Sequence, residues 1–296
     1  MNTPPDLDTA LEEHAHNCEL MQSLLATHDS PNVRALHWYD LPIHEAVSPD
    51  GRARVAEWNR MRRHEDEIAG NYDLVNLYSA PAPGNGIDRS GATVWRCEAL
   101  DSRPWFDGKS AVQQTLEAEA EAIIAEYQAI AAGILTHPDN RSLVDRGRWT
   151  GLFLYGAKGV RNDELCARCP TTARVLAELP LCRNFGFAMF SGMEPHTHVQ
   201  AHCGSSNLRL RHHLGIEVPE PAAGRLRVGA EWRHWARGKT FAFDDSFEHE
   251  VVYEGNRARV VLVVDLWHPG LSPVDVELLA NPVFSRFGKY SRPGVQ

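Results

Sequence analysis

A chain of 296 residues, 43% hydrophobic and 23% charged, has enough apolar material for one large domain or two modest ones and is neither fibrous nor disordered in composition. Its formal net charge of −9, with arginines scattered among acids, leaves no electrostatic footprint for nucleic acid. The N-terminal MNTPPDLDTALEEH has no basic n-region or apolar h-region, and the longest apolar run, Val260–Val264, is too short for a bilayer span, so no membrane association is expected. The six cysteines (Cys18, Cys97, Cys166, Cys169, Cys182 and Cys203) are too sparse for a disulfide framework, and a reduced, cytoplasmic setting is the simplest expectation.

In chain order, Asp8-Thr9-Ala10-Leu11 starts a helix with an apolar stripe of Leu11, Cys18, Leu20, Met21, Leu24 and Leu25, which Ser30-Pro31 ends. Residues 31–50 read as irregular or partly extended. A second helix is expected over 53–68, with Gly70-Asn71-Tyr72 as its stop. Residues 80–92 are rich in Pro and Gly, and a domain boundary is placed there. This gives a partly helical N-terminal region, 1–92, and a main domain, 93–296. A long helix of strong helix formers is predicted over 111–134, a strand over 149–155, and a helix from Pro170 to about Leu179. Strands then dominate: 184–190, 208–218, 225–230, 240–243, 248–253 and 257–266. The fold class is therefore mainly β with flanking helices, a jelly roll or barrel.

Seven of the fifteen histidines lie between Ser191 and Trp267, interleaved with Arg209, Arg211 and Arg259. Imidazoles on strands suggest a transition metal, and arginines beside them a bound carboxylate. Glu254-Gly255-Asn256 reads as a hairpin loop. If Tyr253 pairs with Arg257, His249 and Arg259 fall on one face, while Arg257 sits solvated at the turn. On the 208–216 strand, Arg209, Arg211 and His213 alternate with Leu208, Leu210, His212 and Leu214. That face is either solvated or turned inward against anions; the pattern leaves both open. His202 precedes this strand, but two residues on, where a His-x-Asp/Glu triad needs its carboxylate, the chain has Gly204.

Four ordered motifs carry a resemblance: HCGSSNLRLRHHLG from His202, WARGK from Trp235, FDDSFEHEV from Phe243 and DLWHP from Asp265. Weaker matches lie at Arg103-Pro104-Trp105-Phe106 and Cys169-Pro170-Thr171-Thr172. Over roughly 95–270 the chain resembles the aspartyl/asparaginyl β-hydroxylases, iron(II)- and 2-oxoglutarate-dependent dioxygenases; residues 1–90 are not covered. The resemblance implies a double-stranded β-helix (jelly-roll, cupin-like) core in which a glycine replaces the carboxylate ligand, so Gly204 becomes an expected feature. It implies His202 and His249 as the iron ligands. Ser191 and Arg259 would bind the distal carboxylate of 2-oxoglutarate. Arg211, His213 and Arg209 would share the other cosubstrate carboxylate and an acidic group of the substrate. The implied reaction couples O2 and decarboxylation of 2-oxoglutarate to hydroxylation of an unactivated carbon. The β-carbon of an Asp or Asn unit is the expected site, in a peptide, free amino acid or natural-product intermediate bearing a carboxylate. Asp244, Asp245 or Glu248 would fix the histidine tautomers.

The remaining features have plainer readings. His196 and His198 are assigned to packing or support, the lone Cys166-Ala167-Arg168-Cys169 to structure and not to zinc, Glu117, Glu119 and Glu121 to a solvated helix face, and Trp235 and Trp267 to core. Residues 1–92 would cap the site or form a homodimer contact. The competing functions are a jelly-roll binding module without catalysis and a zinc or manganese cupin-type isomerase working without O2.

Overall fold

The computed structural model describes residues 7–41, 92–130, 144–156, 159–202, 204 and 206–284. The helix expected over 53–68 and most of the 80–92 loop lie outside them, as do Cys203 and Ser205. The thirteen strands described are β1 (Leu36–Leu41), β2 (Ala92–Cys97), β3 (Trp105–Phe106), β4 (Val144–Arg146), β5 (Trp149–Tyr155), β6 (Ala188–Met193), β7 (Thr197–His202), β8 (Arg209–Glu217), β9 (Gly224–Val228), β10 (Glu231–Arg233), β11 (Thr240–Phe243), β12 (His249–Tyr253) and β13 (Arg259–Trp267). β1 pairs with β2 alone; the others form a six-stranded sheet, β3-β11-β8-β13-β6-β5, and a five-stranded sheet, β10-β9-β12-β7-β4. Every named strand pairing is antiparallel. From β6 to β13 the chain alternates between the sheets, with the β9–β10 hairpin as its one pause. That winding is a double-stranded β-helix, and it sets the fold class: mainly β, with helices outside.

The side-chain alternation of β13 shows how the layers form. Val261 and Val263 point between the sheets, into a core with Met189, Met193, Val199, Phe243, Phe247, Val251 and Tyr253. Val260, Leu262, Val264 and Leu266 point outward against a helical layer. A strand covered on both faces has no polar side, so its sequence is a nearly unbroken apolar run.

The helical layer is the predicted long helix in two pieces, Ala111–Ala118 and Ala120–Ile130, hinged at Glu119. Ser110 caps the first through a reciprocal bond with Gln113. Leu116, Ile123, Ile124, Tyr127 and Ile130 are buried on the sheet, at roughly 1.5–3 kcal/mol for each large apolar side chain. The acidic residues here are not simply solvated. Glu117 accepts the backbone N–H and hydroxyl of Thr240, both at 3.0 Å, and pairs with Lys109. Burial alone would raise its carboxyl, but these donors hold it down at about 2. Glu119 and Glu121 pair with Arg174 and Arg237. A short helix unseen in the sequence, Asp163–Arg168, precedes the predicted one, here Pro170–Glu178.

The N-terminal helix, Leu7–Thr27, sends Met21 into a cluster with Trp95, Phe185, Leu208, Trp267, Leu279 and Phe284 at one end of the barrel. His28 and Asn32 reach Asp275 of the Pro273–Leu279 helix, at 3.2 and 2.8 Å. Among the described residues no helix is long and apolar enough to cross a membrane.

Candidate active site

His202 and His249 are direct cross-strand partners on β7 and β12, with ring centroids 4.1 Å apart. They arrive there by different routes. On β12 simple alternation puts His249 inward with Val251 and Tyr253. On β7 the inward residues are Thr197 and Val199, so an unbroken strand would turn His202 outward, beside His198 and Gln200. The register shifts between the Val251↔Val199 and His249↔His202 pairs, leaving one extra residue on β7. This bulge re-aims His202 into the barrel.

Both rings are held alike. His202 Nδ1 lies 2.7 Å from the Gln200 carbonyl oxygen, and His249 Nδ1 lies 2.9 Å from that of Phe247. A carbonyl only accepts, so each Nδ1 carries the proton and each lone pair sits on Nε2, the atom through which a neutral imidazole binds a metal. The tautomers are thus set by backbone two residues upstream, not by Asp244, Asp245 or Glu248. Asp244 instead accepts from Ser102 and the Ser246 N–H, shaping the turn before β12, and Glu248 pairs with Arg227.

Gly204 lies against Asp245. Its N–H donates to the Asp245 carbonyl at 2.6 Å, and a Cβ built on it would stand 2.6 Å from the Asp245 Oδ2. Asp245 fills the space a side chain at 204 would need, so no third ligand can come from that position. Among the described residues no group of three or more His, Cys, Asp or Glu is arranged for a metal.

Arg259, on β13, is 2% exposed, and its Nε and Nη1 have no hydrogen-bond partner. Its guanidinium lies over the Trp235 ring, 4.2 Å from the centroid. Burial pulls its pKa from 12.5 down to about 9. An uncompensated buried cation is costly, and a carboxylate is its natural complement. Ser191, inward on β6 opposite Val261, accepts the Trp149 indole N–H at 2.7 Å, which keeps its own O–H for donation. His213, inward on β8, accepts from the Trp235 indole N–H at 3.2 Å and lies edge-on to Phe243, which in turn packs on His249. Burial, then Arg211, Arg259 and His249, push its pKa well below the usual histidine value, so it is neutral. The fold therefore brings Ser191, His202, His213, His249 and Arg259 to one interior, from five strands of both sheets.

A model of the family described as "Aspartyl/Asparaginyl beta-hydroxylase" matches residues 113–269. The chain belongs to the aspartyl/asparaginyl beta-hydroxylase family. It is similar to the human aspartyl/asparaginyl beta-hydroxylase, 34% identical over 62% of this chain but only 26% of that protein. It is also similar to the ornithine lipid ester-linked acyl 2-hydroxylase of Rhizobium tropici, 33% identical over 81% of this chain and 83% of that one. The chain thus spans about a quarter of the human relative's length and about four-fifths of the bacterial one's. Among solved structures, a cupin-2 domain from Rhodospirillum rubrum is a remote likeness, 11% identical with a TM-score of 0.29, covering 54% of this chain and 89% of that one. The human and bacterial relatives are both named as hydroxylases.

Within this family member, two assignments made from the sequence change. Arg209 and Arg211, expected to meet outside carboxylates, are answered from within. Arg209 Nε and Nη2 donate to the two Asp245 oxygens at 3.0 and 2.6 Å. Arg211 Nε and Nη2 donate to those of Asp265 at 2.7 and 2.8 Å, and its Nη1 is 3.2 Å from Asp245. Both aspartates are 0–1% exposed. Burial would raise the Asp245 carboxyl, but Arg209 and Arg211 hold it well below the usual range. The inward-facing option for this strand face is therefore the observed one, with anions supplied by the protein.

The second change concerns the expected hairpin. β12 and β13 do not pair: the Glu254–Asn256 loop crosses from the five-stranded to the six-stranded sheet. Tyr253 closes it by donating its hydroxyl to the Arg257 carbonyl. His249 and Arg259 still share the interior, but from opposing sheets. Arg257 is exposed at the turn, as expected. His198 bridges Asp145 and Glu250 at 2.8 and 2.9 Å, and His196 pairs with Glu254; neither joins the pair of histidines inside. Cys166 and Cys169 are buried free thiols, and burial pushes Cys169 up to about 11, out of the reactive range.

Proposed function

We propose that the chain is an iron(II)- and 2-oxoglutarate-dependent hydroxylase. The observation that carries this reading is the buried, unpartnered Arg259 in the same barrel interior as two imidazoles whose lone pairs are both on Nε2. Two imidazoles suit a divalent transition metal, with other coordination positions left for small ligands. A lone guanidinium with a donating serine suits the distal carboxylate of a diacid. His202 and His249 would hold the metal, Arg259 and Ser191 the distal carboxylate of 2-oxoglutarate, and neutral His213 would donate to the cosubstrate from its other nitrogen. When bound together with O2, iron and 2-oxoglutarate supply the oxidising power for hydroxylating a C–H bond, with succinate and CO2 as coproducts. The chain's own part is to hold the diacid in the barrel interior, beside the buried apolar side chains Met189, Val261, Val263 and Phe243.

For the substrate, an Asp or Asn unit follows from the family name. A second reading has a specific observation behind it. Arg209 and Arg211, once the reason to expect a carboxylate on the substrate, are spent on Asp245 and Asp265, and the relative matched over most of both chains acts on the acyl group of an ornithine lipid. The deciding experiment incubates the protein with Fe(II), O2 and 2-oxoglutarate. Succinate is expected, together with a gain of one oxygen atom in either an Asp-containing peptide or an acylated amino-acid lipid. Protein that binds neither Fe(II) nor 2-oxoglutarate would instead be a jelly-roll binding module, and turnover that persists without O2 would point to an isomerase.

A further inference from the structure

Trp235 follows β10 and is 2% exposed. Two contacts separate it from the other buried aromatic residues. Its indole N–H donates to His213 Nδ1 at 3.2 Å, and its ring face lies 4.2 Å from the Arg259 guanidinium. An indole nitrogen has no acceptor capacity, so His213 Nδ1 must hold the lone pair and Nε2 the proton. This is the opposite tautomer to that of His202 and His249, whose Nδ1 atoms donate to backbone carbonyls. Three imidazoles in one interior are thereby sorted into two that can ligate a metal and one that can donate to an anion. The indole packs beside Gly224, where an added Cβ would stand 3.0 Å from Tyr253 and 3.4 Å from two of the indole's ring carbons.

We infer that Trp235 is a positioning residue for the carboxylate grip, fixing His213 as an Nε2–H donor while its ring face holds the Arg259 guanidinium in place. The inference rests on the reading that Arg259 and His213 receive 2-oxoglutarate. A Trp that were only core would matter through its volume. A positioning Trp matters through its N–H as well, and Trp235→Phe separates the two because it keeps an aromatic face and deletes the donor.

The test uses the full chain loaded with diamagnetic Zn(II) and labelled with 15N-histidine, with His213→Gln to assign the resonance. In the wild type the His213 nitrogens should show the Nε2–H form. In folded Trp235→Phe they should move toward the Nδ1–H form or a mixture, and the affinity for 2-oxoglutarate, read by thermal shift, should fall about tenfold, the worth of one directed hydrogen bond to a charged group. With iron, the same variant should raise KM for 2-oxoglutarate while kcat stays within about twofold. Trp235→Leu, which also uncovers Arg259, should lose more affinity than Trp235→Phe. An unchanged His213 tautomer and unchanged 2-oxoglutarate affinity in folded Trp235→Phe would overturn the inference. A wild type that shows no response to 2-oxoglutarate sinks the functional reading instead, and the His213 resonances then report on the tautomer alone.

Discussion

Replacing Arg259 with methionine should make the ligand-free protein more stable and the enzyme far worse. Burial draws the guanidinium from 12.5 to about 9, which at about 1.36 kcal/mol per pH unit is an electrostatic cost on the order of 4–5 kcal/mol. The contact with the Trp235 face returns about 2 kcal/mol. No hydrogen bond to Nε or Nη1 offsets the rest. Methionine keeps an unbranched side chain against Trp235 without the charge, so a gain of about 1–4 kcal/mol is expected, as for other buried charges replaced by apolar groups. At about 2–4 °C per kcal/mol, the ligand-free melting temperature should rise by several degrees. The diacid would then lose its buried cation at roughly 2–5 kcal/mol, and KM for 2-oxoglutarate should rise from about thirtyfold to several thousandfold. Differential scanning fluorimetry with and without 2-oxoglutarate, alongside succinate formation, reads both effects. A lower melting temperature with unchanged 2-oxoglutarate binding would refute the reasoning, because it would mean Arg259 is a structural cation with an anion of its own.

Four further outcomes test neighbouring steps. His249→Ala and His202→Ala should each abolish Co(II) or Zn(II) binding in calorimetry as well as turnover; full metal affinity in either would remove that residue as a ligand. Gly204→Ala should destabilise by about 1–3 kcal/mol, since the added carbon meets Asp245 oxygens at 2.6 and 2.8 Å, and Gly204→Asp should fold no better and gain no metal affinity. Arg209→Leu leaves the buried Asp245 short of its bidentate partner and should cost about 3–5 kcal/mol in denaturant melts, while KM for substrate and cosubstrate stays near wild type in the protein that folds; a selective KM effect would restore Arg209 to the substrate site. His212, buried against the helical layer, has its pKa pulled to about 4 by burial. An unfolded chain takes up a proton below about 6.5 that the folded one refuses, so stability is full above that pH and falls as pH drops toward 4, by about 2 kcal/mol between pH 7 and 5. His212→Leu should flatten that slope; an unchanged slope would assign it to other groups.

Much of the frame was legible because it depends on local pattern. The strand expected over 257–266 is β13, Arg259–Trp267, and β11 falls on the residues expected. The histidine pair was legible only through the resemblance, and the reason lies in the bulge on β7. Period-two alternation in THVQAH puts His202 on the wrong face, and one extra residue, set by pairing with β12 some fifty positions away, reverses it. The β12–β13 loop failed for a related reason: Gly255-Asn256 chemistry allows a tight turn but does not say whether the next strand returns to the same sheet. For Arg209 and Arg211 the alternation was right and the partner was not. Asp245 and Asp265 sit in the motifs that flank the site, but only the register of β8 against β13, Asp265 opposite Arg211, makes them counter-ions.

The three buried arginines of β8 and β13 bear on the proposed binding site through what answers each charge. All three face the same interior, and on charge alone each is an equal candidate to grip an anion. Arg209 and Arg211 come with two aspartates at hydrogen-bond distance, so an external carboxylate would have to displace an internal one and leave it buried and unpaired, at several kcal/mol. Arg259 imposes no such exchange, because its Nε and Nη1 await an acceptor and its face is already covered by an indole. The same logic sorts the histidines. His202 and His249 spend their protons on carbonyls and present lone pairs, while His213 spends its lone pair on an indole N–H and presents a proton. In both cases residue type is common to the proposed site and to the scaffold, and the hydrogen-bond partners, not the residue type, carry the proposed reading.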